Sequence, residues 1–231
     1  MICYNGIALE SVAPVQVEDI HVSPIAISPT VRDRPIQPGA DFVRAKKGTR
    51  TVAITFAVLT ENRDARQRHL HAINKWAESK APAPMQLEDH PGVYLLCICT
   101  NKPEPSTRQW WESKLRLVFT AYDPYFLSMQ EKSCACGTAF VALGDAEPKM
   151  EIRRTLGSAA SSQTYGNGSE SMSFSQIPAG NLVIDLDRQT AAVNGSSIMD
   201  KFGLTSHFLI PKTGSQTITG NGTVYWRERW E

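Results

Sequence analysis

The chain has 231 residues, 42% of them hydrophobic, enough to bury a core and to exclude global disorder. With 24 Lys and Arg against 23 Asp and Glu, the formal net charge of +1 argues against a dedicated nucleic-acid binder and gives no drive toward anionic membranes. No stretch approaches the roughly 18 consecutive apolar residues of a membrane span.

The N-terminal sequence MICYNGIALE lacks the basic region and apolar run of a signal peptide. Cytoplasmic synthesis and folding follow as the expectation. Five cysteines, an odd count without the spacing of a disulfide framework, then read as free buried thiols. The first extended pieces are Ile20-His21-Val22 and Ile25-Ala26-Ile27, beside Pro24 and Pro29. From Ser28 to Arg50 the chain is rich in Pro, Gly and charge, and no apolar period runs through it, so it reads as a long exposed loop or splayed hairpin.

Thr51 to Leu59 is the clearest strand, because Val52, Ile54, Phe56 and Val58 alternate with smaller residues. A helix follows over about 62–79: Thr60 or Asn62 can cap it, Leu70, Ile73 and Trp76/Ala77 recur at helical spacing, and Pro82 and Pro84 cannot continue it. Val93 to Cys99 reads as a buried strand. Trp111 to Ala121 reads as an alternating one that stops at Asp123-Pro124.

After about Ser128, Gly, Ser, Thr and Asn become frequent. Strand candidates recur at Ala135–Val141, Lys149–Arg153, Ser171–Phe174, Leu182–Leu186, Ala191–Val193, His207–Ile210, Thr217–Thr219 and Val224–Trp230. Leu182 to Val193 reads as a hairpin, and Asn194-Gly195 and Asn221-Gly222 mark tight turns. The fold class is mainly β. An α+β N-terminal domain over residues 1–130, a sandwich or split barrel with one helix, precedes an all-β sandwich over 131–231.

Candidate chemistry is sparse. Cys97/Cys99 and Cys134/Cys136 could be imagined as a four-thiolate site, but structural zinc sites more often place two to four residues between ligands. His69 and His71 diverge on the helix; His21, His90 and His207 stand alone. No nucleophile elbow, Walker loop or zincin motif occurs. Asp185 and Asp187 share a strand face but sit at a hairpin turn, where Asp bonds its own backbone. Trp110-Trp111 and Tyr225-Trp226-Arg227-Glu228-Arg229-Trp230 concentrate aromatic residues, which alternation would divide between core and cross-strand packing. No catalytic residue, metal site or cofactor is assigned.

The order of these pieces resembles the distal tail (Dit) proteins of phages with long non-contractile tails. The resemblance rests on Arg32-Asp33-Arg34-Pro35-Ile36-Gln37-Pro38-Gly39, the strand Arg50 to Phe56, and Met85 to Tyr94. The strand Leu115 to Ala121 ending in Tyr122-Asp123-Pro124-Tyr125 is its most telling part. Gly137-Thr138, Ala146 to Ile152, the hairpin Leu182 to Val193, Phe208-Leu209-Ile210-Pro211 and the closing Tyr225-Trp226-Arg227 continue it. The segment Pro211 to Gln216 departs from the Pro-Gly-x-Asn turn that the resemblance leads one to expect.

The resemblance implies a non-enzymatic virion protein, assembled in the host bacterial cytoplasm, whose N-terminal domains form a ring, a homohexamer, at the distal end of the tail tube. Its C-terminal domain would be a galectin-like sandwich. Implied partners are further copies of the chain, the tail tube protein, the tail-tip or tail-associated protein and a receptor-binding protein, with no direct nucleic-acid recognition and no membrane.

A ring needs heterologous interfaces. The segment from Ser28 to Arg50 carries Arg32, Arg34, Arg44, Lys46, Lys47 and Arg50 against only Asp33 and Asp41. These six cations are the candidate subunit interface, pairing with a neighbour's carboxylates. The alternative is a carbohydrate- or receptor-binding tail module resting on the sandwich and its aromatics. A cell-wall hydrolase, the third possibility, has no supporting residue constellation.

Overall fold

The computed structural model describes residues 1–34, 38, 40–101 and 112–231. The chain divides into two compact units, Met1–Phe126 and Leu127–Glu231.

The first unit begins with β1 (Ile2–Tyr4) and β2 (Ile7–Ala8), a one-turn helix α1 (Leu9–Val12) and β3 (Val15–Val22). Then come β4 (Ile27–Asp33), β5 (Ala40–Lys47) and β6 (Arg50–Leu59). The helix α2 (Arg63–Ala77) precedes β7 (Ala83–Leu87), β8 (Val93–Cys99) and β9 (Glu112–Ala121).

β6 is the centre of this unit, paired antiparallel with β3 on one edge and along its whole length with β9 on the other. Opposite residues share a face, so Val52 stands beside Phe119, Ile54 beside Leu117 and Phe56 beside Leu115, all 0–1% exposed. The other face is polar, yet Ala53 and Ala57 are buried there too. Ala53 lies between His21 and Val118, Ala57 between Gln16 and Lys114, and the longer neighbours shade the short side chains.

The helix packs on the apolar face. Its cap is Asn62, whose side chain accepts from the Ala65 N–H at 2.8 Å. Leu70, Ile73, Trp76 and Ala77 are its buried residues. Trp76, Tyr4 and Phe119 meet edge to face, with ring centroids 5.0–6.1 Å apart. Trp76 also donates Nε1–H to the Ile7 carbonyl at 2.9 Å, and Tyr4 its hydroxyl to the Cys97 carbonyl at 3.2 Å.

The sequence reading assigned no element to residues 2–12. Its overlooked signal is Asn5-Gly6, with φ of 51° and 78°, the two-residue turn that joins β1 to β2. It also left residues 83–87 without an element, because Pro84 reads as a breaker. β7 nevertheless pairs with β1 and β8 there.

The second unit follows the short strand β10 (Phe126–Ser128), which spans the division. Its strands are β11 (Lys132–Ala135), β12 (Ala139–Ala142), β13 (Ala146–Leu156), β14 (Ala160–Gly166) and β15 (Ser171–Ile177). Then come β16 (Gly180–Asp185), β17 (Thr190–Val193), β18 (Ser196–Ser197), β19 (Gly214–Thr217) and β20 (Thr223–Trp230).

One layer runs β11-β20-β13-β16-β17-β18. The other is made of the pairs β12-β19 and β14-β15, joined by the Gly166–Thr219 bridge. Met150, Ile152, Ile184 and Val224 of the first layer and Phe140, Tyr165, Met172 and Phe174 of the second belong to one core cluster.

Two expectations change here, and one strand is added. Ala135–Val141 is two strands, because Gly137 at φ 87° turns the chain between them. His207–Ile210 is not a strand; His207 and Ile210 give their N–H groups to the Ser171 carbonyl and the Glu170 carboxylate. Ala160–Gly166, to which the sequence pattern assigns no element, is a strand whose Tyr165 alternates into the core. The divergent Pro211–Gln216 turn is closed by Gln216, which exchanges side-chain bonds with the Lys212 backbone.

Phe119→Ala removes the ring shared by Tyr4 and Trp76 and is expected to cost about 3–5 kcal/mol, measured by urea denaturation against the parent protein.

Candidate functional site

The most unusual feature of the first unit is the β4–β5 pair. β3 and β6 run on into it, so that β3-β4 and β5-β6 make one long hairpin. The joint is Ser23–Ala26 facing Gly48–Thr49, where Ala26 N–H donates to the Thr49 carbonyl and Gly48 N–H to the Ala26 carbonyl. Pro24 and the close approach of Gly48 to Ala26 mark the break.

Beyond the joint the ribbon is exposed on both faces. Its register pairs Ile27 with Lys47, Pro29 with Ala45, Thr30 with Arg44, Val31 with Phe42 and Arg32 with Asp41. A bulge between Thr30 and Val31 leaves Val43 as the extra residue. Alternation therefore gives the ribbon two unlike faces. One has Ile27, Pro29, Val31, Ala40, Phe42 and Ala45, with Lys47 opposite Ile27 at its base; the other has Ser28, Thr30, Arg32, Asp41, Arg44 and Lys46. Ile27 is 66% exposed, Val31 54%, Phe42 67% and Val43 57%.

The six cations singled out from the sequence do not share one environment. Arg32, Arg44 and Lys46 lie on the polar face with no carboxylate partner among the described residues. Arg34 forms an ion pair with Asp41. Lys47, at the base, stands 5.2 Å over the Tyr125 ring.

Arg50 is apart from the rest. It opens β6, is 5% exposed, and holds its guanidinium 5.2 Å over Phe126, on which His90 also stacks at 4.5 Å. Its role here is internal packing, where a cation over an aromatic face is attracted by the ring quadrupole. Pro35, Ile36, Gln37 and Gly39, and Trp110-Trp111, lie outside the described residues.

The remaining candidates are structural in their contacts. Asp185 accepts the Arg188 N–H at 2.9 Å within the hairpin turn, and Asp187 accepts from Arg229 at 2.7 Å. Trp226 is buried against Phe140, ring centroids 4.4 Å apart, while Tyr225 carries the Arg153 guanidinium at 4.2 Å. Among the described residues no three of His, Cys, Asp and Glu gather as a metal site would require.

A cleft of about 720 Å³ between the end of α2 and the end of β8 is lined by His71, Asn74, Lys75, Glu78, Cys99 and Asn101, among others. Asn101 is engaged with the Val118 N–H and the Arg116 carbonyl. Burial raises the Cys99 thiol above its ordinary range, so it stays protonated and weakly nucleophilic.

No protein-family model matches this chain, and no curated protein does. Solved structures do. Dit (gp 19.1) of phage SPP1, described as a paradigm of the hub adsorption apparatus in phages infecting Gram-positive bacteria, superposes with a TM-score of 0.80 at 15% identity. That match covers 100% of this chain and 98% of SPP1 Dit. A chain of the phage p2 baseplate in its activated conformation with Sr matches with a TM-score of 0.50 at 8% identity, over 94% of this chain and 91% of that one. The chain thus has the fold of SPP1 Dit from end to end.

Burial pushes the Cys97 thiol from its ordinary 9.0 up to about 12. The folded state keeps this proton where the unfolded state loses it, so the stability it contributes is complete below pH 9.0 and is lost as pH rises toward about 12. Urea midpoints between pH 8 and 11 should therefore fall more steeply for the parent than for Cys97→Val; parallel slopes would contradict this.

Proposed function

We propose that this chain is a structural component of a phage tail, a distal tail protein that forms a ring at the end of the tail tube and links the tube to the tip and receptor-binding apparatus. The observation that carries the reading is the end-to-end fold likeness to SPP1 Dit, itself a hub protein. The nearly balanced charge and the predominance of structural contacts at the sequence-derived candidates support the same reading.

In this reading the first unit builds the ring, probed by the arm of each copy reaching the next. The arm over residues 27–47 has five cations, Arg32, Arg34, Arg44, Lys46 and Lys47, and two carboxylates, Asp33 and Asp41. Since the chain totals 24 basic and 23 acidic side chains, 19 and 21 remain outside the arm. A basic arm and a slightly acidic body attract each other between copies, which guides encounter and register more than it adds affinity. The second unit, a galectin-like sandwich in this reading, would offer its surface to the tail-tip and receptor-binding proteins, and the ring's other side would meet the tail tube protein.

Light scattering with negative-stain imaging tests this. The expected result is a mass near six chains with annular particles; a strict monomer at every concentration is the contrary result. Assembly should also weaken about 10-fold in Arg32→Gln/Arg44→Gln/Lys46→Gln at low salt, and the difference should shrink as salt screens the charges.

A further inference from the structure

We infer that the apolar face of the β4–β5 arm, rather than its cations, holds the subunits together by docking on the body of a second copy of this chain, a conclusion that rests on the ring reading. Ile27, Val31 and Phe42 line up on one side of the ribbon, all more than half exposed, with Pro29 and Ala45 between them. A two-stranded ribbon is marginal by itself in water and needs a layer against one face. Inside the unit β6 has that layer, because α2 covers it with Trp76 and the aliphatic residues beside it; among the described residues the arm is exposed along its length, with Lys47 at its base reaching the Tyr125 ring.

Charge selects the occupant. Two arms set face to face would bring together two ribbons with five cations and two carboxylates each. The rest of the chain, with the acidic excess, is the complementary surface. Arm on body is a heterologous contact, so every copy both gives an arm and receives one; the series closes as a ring where the rotation between copies returns to its start, as the ring reading requires.

The two faces then divide the work. Burying three large apolar side chains supplies the attraction that salt does not screen. Arg32, Arg44 and Lys46, on the opposite face, stay in solvent on the outside of the contact and act at longer range, steering the approach of the arm. The bulge at Val43 increases the local twist of the ribbon, as bulges do, and makes it a poorer edge for simple strand-to-strand pairing.

The test compares the full-length parent with Val31→Thr/Phe42→Ser. Both positions are exposed, so the melting temperature measured in dilute protein, below the concentration at which the parent assembles, should not change. Self-association should weaken by about 100-fold or more, from the loss of two apolar contacts, and this loss should persist at high salt. In otherwise unaltered protein, a photoreactive benzoyl-phenylalanine at position 42 should cross-link to the body of another copy, mapped by mass spectrometry.

If the parent forms rings but the double variant assembles equally well, or the cross-link stays within one chain or joins two arms, the inference fails while the ring reading stands. If the parent remains monomeric at all concentrations, the ring reading fails and takes this inference with it.

Discussion

The pairing of Arg50–Leu59 with Val15–Val22 on one edge and Glu112–Ala121 on the other is the constraint on which the first unit depends. It aligns Val52, Ile54 and Phe56 with Phe119, Leu117 and Leu115, and so makes the apolar face on which α2 rests. It also fixes the root of the arm. The same two strands that are held in the sheet up to Val22 and from Arg50 run beyond it, and the ribbon keeps their direction across the Pro24 and Gly48 joint. One hairpin therefore does two things: its inner half is core, and its outer half is surface extended away from that core.

The second unit is built on a different principle. Its core lies between two layers of short strands, and the turns between them carry the conformational burden. Asn194 and Gly195, both at positive φ, turn β17 directly into β18. At Gly144, with φ 121°, a Cβ would stand 2.3 Å from the Arg229 carbonyl oxygen, so only glycine lets the chain leaving β12 pass β20. Near the same crossing Glu228 is buried, and its Oε1 accepts both from Lys132 at 2.6 Å and from the Leu143 N–H at 3.2 Å, so the buried carboxyl has a cation and a backbone donor beside it.

Much of this architecture was legible in the sequence because it follows short-range rules. The alternation in Thr51 to Leu59 and the Asn62 cap of α2 speak directly of local structure. So do the apolar run Val93 to Cys99 and the hairpin Leu182 to Val193. The arm was only half legible. Its charges and its length pointed to an exposed hairpin, but the bulge at Val43 shifts the period of two, and the apolar side of the ribbon disappears from the pattern. Arg50 looked like one more arm cation because a sequence does not tell that Phe126, 76 positions later, supplies a ring beneath it. β7 and β14 were hidden by a proline and a run of serines, whose usual meaning was overridden by pairing with distant strands.

The central claim is that the arm is an unfinished layer, completed by another copy of the chain. Hydrogen exchange measured on the arm amides in dilute and in concentrated protein addresses it most directly, since exchange reports the opening free energy of each backbone hydrogen bond. The account predicts that peptides covering residues 27–34 and 40–47 exchange rapidly in dilute protein and become protected by orders of magnitude on assembly, with β6 protected in both. Equal protection of the arm at both concentrations, while the mass shows that rings have formed, would contradict it.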